Sequence, residues 1–88
     1  MVDKIMIVIS PMEIRQSIYV YKDEEMAHRD SVTTGELTEK LLYLIDKYNV
    51  YDLDFVGFQP FAKKFGDEIL RESVTKYGKG KVIIDYSR

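Results

Sequence analysis

Three carboxylates in this chain could do metal-assisted chemistry. Glu13 follows the first apolar run, Asp54 lies within a later one and Asp85 closes the last. Oxygen ligands of this kind hold divalent cations, and a cation pair can stabilise the attacking and leaving oxygens of a phosphodiester. The three residues belong to separate segments, with room for an offset along the strand axis, and acids near strand ends more commonly meet solvent or an ion-pair partner. Lys63 and Lys64 form a second candidate group: beside Phe61 at the start of an expected helix, they could meet phosphates with ammonium groups, helix amides and a ring face. Phe61 also fits the helix's core stripe, and exposed lysines usually just solvate a surface. The sole histidine, His28, lies close to Asp30 and Ser31. Strand alternation sends His28 and Asp30 to one face and Ser31 to the other, so no nucleophile, base and orienting group converge.

These groups must be positioned by a regular series of elements. Ile5-Met6-Ile7-Val8-Ile9 is unbroken and β-branched, the pattern of a central strand covered on both faces. Ser10-Pro11 ends it, and Ser17-Ile18-Tyr19-Val20-Tyr21 makes a second strand that turns at Lys22-Asp23-Glu24-Glu25. From Glu25 to Val32 the pattern is more polar, as in an edge strand, with Met26, His28, Asp30 and Val32 expected on one side. Thr33 and Glu36 have the spacing of a capping box. Leu37, Leu41, Leu44, Ile45 and Tyr48 then make the apolar stripe of a helix ending near Asn49. Leu53 to Phe58 reads as another buried strand, and Pro60 suits the first position of a second helix. In that helix Phe61, Phe65, Ile69 and Ser73 share a stripe, Gly66 marks close approach to the sheet, and Gly78 is a left-handed stop before Val82-Ile83-Ile84. The two strand-helix-strand units predict parallel crossovers.

Composition narrows the function classes. The 88 residues make one small α/β domain, residues 1–88, able to bury about 60% of its unfolded surface. A net charge of −2 with interspersed signs gives no global attraction to nucleic acid or to an anionic membrane. With no cysteine there is no disulfide framework, thiolate metal site or cysteine nucleophile, and a reducing cytoplasm is the expected setting. The first apolar run is too short for a signal-peptide core or a membrane span. There is no Walker A pattern or GxGxxG fingerprint, so nucleotide chemistry has no foothold. Seven tyrosines offer rings with polar tips. Tyr19 and Tyr21 share a strand face, and Tyr43, Tyr48 and Tyr51 surround the first helix and its exit, where they serve either a small core or a protein interface.

The order of elements, three strands and then helix, strand, helix, strand, resembles the ribonuclease H-like core. Asp54-Phe55-Val56-Gly57-Phe58-Gln59-Pro60, running into Phe61-Ala62-Lys63-Lys64-Phe65-Gly66, together with Val82-Ile83-Ile84-Asp85-Tyr86-Ser87, is similar to the bacterial Holliday-junction resolvases and their YqgF-like relatives. The resemblance implies a mixed five-stranded sheet of order 3-2-1-4-5 and nucleases with acids on the first and fourth strands. Here the first strand ends in Ser10-Pro11, the fourth-strand position is nearest Gln59, and the later helix that supplies further acids in that family does not follow the fifth strand. Actin-like ATPases share the fold core, but the segment from Ser10 to Gln16 lacks their phosphate-binding glycines, and Glu13 would repel a phosphate.

These residues lead to a non-enzymatic protein-interaction module of ribonuclease H-like shape, with no cofactor, binding a protein partner or a second copy of itself. An accessory protein of a phage or mobile element is the implied setting. The alternative is a divergent nucleic-acid-binding or resolvase-like nuclease protein, with Lys63 and Lys64 on the nucleic acid and Glu13, Asp54 and Asp85 on a metal.

Overall fold

In a computed structural model that describes residues 2–11 and 14–87, the chain forms strands β1 (Lys4–Ile9), β2 (Arg15–Lys22) and β3 (Glu25–Thr33). A 3-10 turn at Thr34–Glu36 leads into helix α1 (Leu37–Tyr48), and strand β4 (Asp52–Gly57), helix α2 (Gln59–Tyr77) and strand β5 (Ile83–Ser87) complete the order. The strands make one five-stranded sheet, β3-β2-β1-β4-β5, as expected from the sequence. β1 pairs antiparallel with β2 and parallel with β4, and β4 pairs parallel with β5. No helix among the described residues is long and apolar enough to cross a membrane.

Both helices pack on the same face of this sheet. Ile5, Ile7 and Ile9 of β1, Ile18 and Val20 of β2, Val32 of β3, and Leu53 and Phe55 of β4 point toward Leu37, Leu41, Leu44 and Ile45 of α1 and Ala62 and Ile69 of α2, forming a single core. The expectation that β1 is covered on both faces is therefore corrected. Its burial alternates residue by residue, and Lys4, Met6 and Val8 point away from the helices. An uninterrupted apolar run signals two covered faces only when both sets of alternating side chains find a layer to pack on.

Local chemistry sets the element ends. Asn49 terminates α1 in the left-handed region at φ 55°, while Lys22 Nζ donates to the Tyr48 carbonyl at 2.7 Å, a cation satisfying a helix C-terminus. The capping box takes a different form. The Thr33 hydroxyl donates to the Glu36 carboxylate rather than to a backbone amide, and a 3-10 turn precedes the helix. Pro60 occupies the second position of α2, after Gln59, and Gly78 ends that helix at φ 96° with an extended ψ rather than in the left-handed helical well. Gly66 meets the sheet closely, since a Cβ there would fall 2.2 Å from the Tyr86 hydroxyl. Gly57 is required at the end of β4: its φ is +106°, a Cβ would lie 2.3 Å from the Ile9 carbonyl oxygen, and that oxygen accepts from the Phe58 amide.

Two further corrections concern side-chain direction. A register shift opposite Val20 and Tyr21 pairs His28 with Val20 but Met26 with Tyr21. Met26 thus leaves the side shared by His28, Asp30 and Val32, because the extra residue inverts the alternation. In α2 the buried stripe is Ala62, Gly66, Ile69 and Ser73, and Phe61 is 41% exposed rather than core.

Candidate functional site

The face of the sheet opposite the helices is lined by alternate residues of all five strands, and none of the described elements covers it. The register lays them out in rows. Arg29, Tyr19, Met6, Asp54 and Asp85 cross the sheet at mid-height. Met26, Tyr21, Lys4, Asp52 and Ile83 form the row on one side of it, and Ser31, Ser17, Val8, Val56 and Ser87 the row on the other. Met6, Val8, Tyr19, Tyr21 and Val56 are half-buried by their neighbours, while Met26 and Ile83, at opposite edges of one row, are each 51% exposed. Large side chains in a continuous patch, mixed with a few polar groups, have the composition of a protein-contact surface.

Charge on this face is divided by strand. Arg15 and Arg29 stand on β2 and β3, and Asp52, Asp54 and Asp85 on β4 and β5. Arg29 lies over the Tyr19 ring at 5.8 Å, and Lys4 leans from β1 toward the Tyr21 ring at 6.0 Å. Arg15 Nε donates to Ser31 Oγ at 3.1 Å and its terminal nitrogen to the Ser31 carbonyl at 2.6 Å. On the acidic side, Asp54 and Asp85 are direct register partners with no offset along the strand. Neither is in an ion pair among the described residues, and Oδ1 of Asp54 is shut off from water without a hydrogen-bond partner. Like charges opposite one another on a sheet repel, and with Lys4 the one cation bordering Asp52, Asp54 and Asp85 among the described residues, this corner carries net negative charge.

The other sequence-predicted residues fall in different places. Glu13 lies outside the described residues. Among the described residues no group of three or more carboxylates and histidines converges as a metal site. His28 sits on the helix side against Tyr48, with ring centroids 5.7 Å apart, and its Nε2 approaches Asp30 Oδ2 at 3.5 Å without a hydrogen bond. Asp30 is held below its ordinary carboxylate range chiefly by the hydrogen bond from Lys40, whose ammonium is 3.0 Å away. Ser31 is on the opposite face with Arg15, so the three residues do not form a triad.

Lys63 and Lys64 are exposed near the N-terminus of α2. Lys63 lies 5.8 Å over the Tyr86 ring, and Lys64 borders a shallow apolar hollow with Ile14, Phe61 and Phe65. Phe58 packs edge-on against Phe61 at 4.9 Å and is itself 39% exposed. Gln59 joins the ends of two strands by donating from Nε2 to the carbonyls of Gly57 at 3.1 Å and Ser87 at 3.0 Å, so it is occupied structurally. The buried Gln16 anchors the far side of the hollow, accepting from the Ser10 amide at 2.8 Å and donating to the Thr34 hydroxyl at 3.2 Å.

The tyrosines divide between roles. Tyr48, Tyr51, Tyr77 and Tyr86 close the margin of the core, Tyr43 is exposed on α1, and Tyr19 and Tyr21 stand together on the open face. Sequence reasoning paired the last two but missed Met6, Val8, Met26 and Arg29. One signal was available: every odd position of β1 is isoleucine, whereas the even ones are lysine, methionine and valine.

No protein family matches the chain, and neither does any curated protein or solved structure.

Proposed function

We propose that this protein is a non-enzymatic interaction module that uses a ribonuclease H-like scaffold to present the open face of its sheet to a protein partner. The observation that carries this reading is the one-sided packing: both helices cover one face, while the other presents Met6, Val8, Tyr19, Tyr21 and Val56 as a continuous half-apolar surface. Tyrosine and methionine are favoured in contact surfaces, because they bring large area at low entropic cost or adapt to a partner's shape. Replacing Tyr19 with a photo-crosslinking phenylalanine analogue tests it, with the same analogue at Tyr43 on the exposed side of α1 as reference. The expected result is a defined protein adduct from position 19 and none from position 43. Equal or absent labelling at the two positions contradicts the reading.

A second reading places single-stranded nucleic acid across Phe58 and Phe61. It is favoured by the exposure of both rings beside Lys63 and Lys64 at the start of a helix, since rings stack on any base and lysines follow the backbone. In a resolvase-like form of this reading, Asp54 and Asp85 are the carboxylates available to a metal. Binding of branched and single-stranded DNA at low salt, with and without manganese, and its loss on changing both lysines to glutamate, separates it from the first.

A further inference from the structure

The charge division of the open face carries an inference about its occupant that rests on the protein-contact reading above. We infer that the partner is a second copy of this chain, packed sheet face to sheet face about a two-fold axis that runs between the sheets along the direction of β1.

Two face-to-face arrangements of identical sheets keep their strands aligned, and they differ in what meets what. A two-fold axis across the strands, over the middle row, would set β4 and β5 on β4 and β5 of the second copy, opposing Asp54 and Asp85 to themselves and Arg29 to itself. An axis along the strands instead lays β2 on β4 and β3 on β5 of the second copy, with β1 on β1. Because that operation preserves height along the strand, the rows stay matched, apart from the shift of less than one row that the about 30° rotation of aligned sheet packing introduces. In the middle row Arg29 then stands over Asp85 of the second copy, and Tyr19 over its Asp54. In the next row Met26 covers Ile83 of the second copy, two exposed apolar side chains at opposite edges of the same row. Lys4 falls near the axis, but its ammonium leans toward Tyr21 and so toward Asp52 of the second copy. A single operation thus sets a cation against Asp52 and Asp85 and a tyrosine hydroxyl-bearing ring against Asp54, covers the exposed apolar corners, and as an isologous contact does each twice.

The size is adequate. Strands about 4.8 Å apart and residues about 3.3 Å apart give five short strands a face of about 450 Å² in projection, and more in accessible area. Two such faces reach the about 1,000 Å² at which specific pairs begin. A sheet separation of about 10 Å leaves room for an arginine to meet an aspartate across the gap.

The test is charge exchange, read by sedimentation equilibrium across a concentration series of the chain. The native chain should dimerise, Arg29→Glu and Asp85→Arg should each weaken the dimer at least tenfold, and mixing the two variants should restore it, because the mixed pair opposes Glu to Arg at one end and Arg to Asp at the other. Circular dichroism of each variant checks that it is folded, and the mixing step supports the inference only through recovery. A native chain monomeric up to millimolar concentration, reversals without effect, or folded variants that stay apart on mixing overturns it. An adduct from position 19 to a different protein, with a monomeric native chain, overturns the dimer while leaving the interaction-module reading standing. No adduct at all removes both.

Discussion

The two faces of the sheet come from the same strands and obey different rules. On the helix side the central strands present branched aliphatic or aromatic side chains that α1 and α2 shut off from water, and Ile5, Ile7, Ile18, Val20 and Phe55 are all fully buried there, with polar residues such as Gln16, His28 and Asp30 confined to β2 and the β3 edge. On the open side the neighbouring residues, Lys4, Met6, Val8, Tyr19, Asp54 and Val56, are only half-buried and mix charge with apolar surface. The difference means that one face holds the fold together while the other adds little to it and stays accessible, since half-exposed residues contribute little to packing.

The largest test of this contrast removes side chains from the two faces in turn. Phe55→Ala should cost about 3–5 kcal/mol in urea unfolding, because it leaves a cavity in the core where β4 packs on α2, whereas Val56→Ala on the next residue should cost less than about 1 kcal/mol in the monomer. Equal losses would mean that the open face is packed after all. Gly57→Ala comes next. It forces a side chain into a positive φ against the Ile9 carbonyl and should cost about 1–3 kcal/mol, visible as a lower unfolding midpoint. Tyr19→Ser should change monomer stability by only about 0.5–1 kcal/mol, as a partly exposed residue does, yet abolish contact through the face. Loss of folding in that variant would erase the division of labour.

The smallest effects are those of pH, and they come from the helix side. Asp46 is held below its ordinary range by the Lys76 ammonium and then by the Tyr77 hydroxyl, which donates to Asp46 Oδ1 at 2.6 Å. A depressed carboxyl stabilises the fold at neutral pH, and that stabilisation should fade as pH falls below the ordinary aspartate value of 3.8. Tyr77 is shifted the other way, raised by burial and by the Asp46 carboxylate. The unfolded phenol ionises first, so stability should decline as pH rises past its ordinary value of 10.0. Asp46→Asn should flatten the acid limb in a thermal-melt series while leaving contact through the open face untouched.

Much of the fold was legible because the signals were local. Isoleucine and valine runs gave the strands, the Leu37, Leu41, Leu44 and Ile45 spacing gave α1, and Asn49 and Gly78 gave the helix ends. Gly66 was readable as a close approach, and the structure sets it against Tyr86. Side-chain direction was harder. The inverted Met26 follows from a register shift with no residue signature of its own, and Phe61 was read as core because a helical stripe is periodic whatever each of its side chains packs against. The candidate site was legible only in fragments. Tyr19 and Tyr21 were paired by strand alternation, but the alignment of Asp54 with Asp85, and of both with Arg29, depends on pairings between strands far apart in the chain.

By itself, then, the sequence determined the elements, their order and the parallel crossovers, because hydrophobic period, turn residues and crossover rules act within short stretches or on topology alone, while the strand order 3-2-1-4-5 followed from the resemblance of that element order to the ribonuclease H-like core. Which face of the sheet received both helices, and which residues were left to form a divided field of arginines and aspartates, only the tertiary structure decided. The reason is that burial belongs to pairs of surfaces. An alternating strand offers two faces, and the choice between them is made by where the helices find room to close the core.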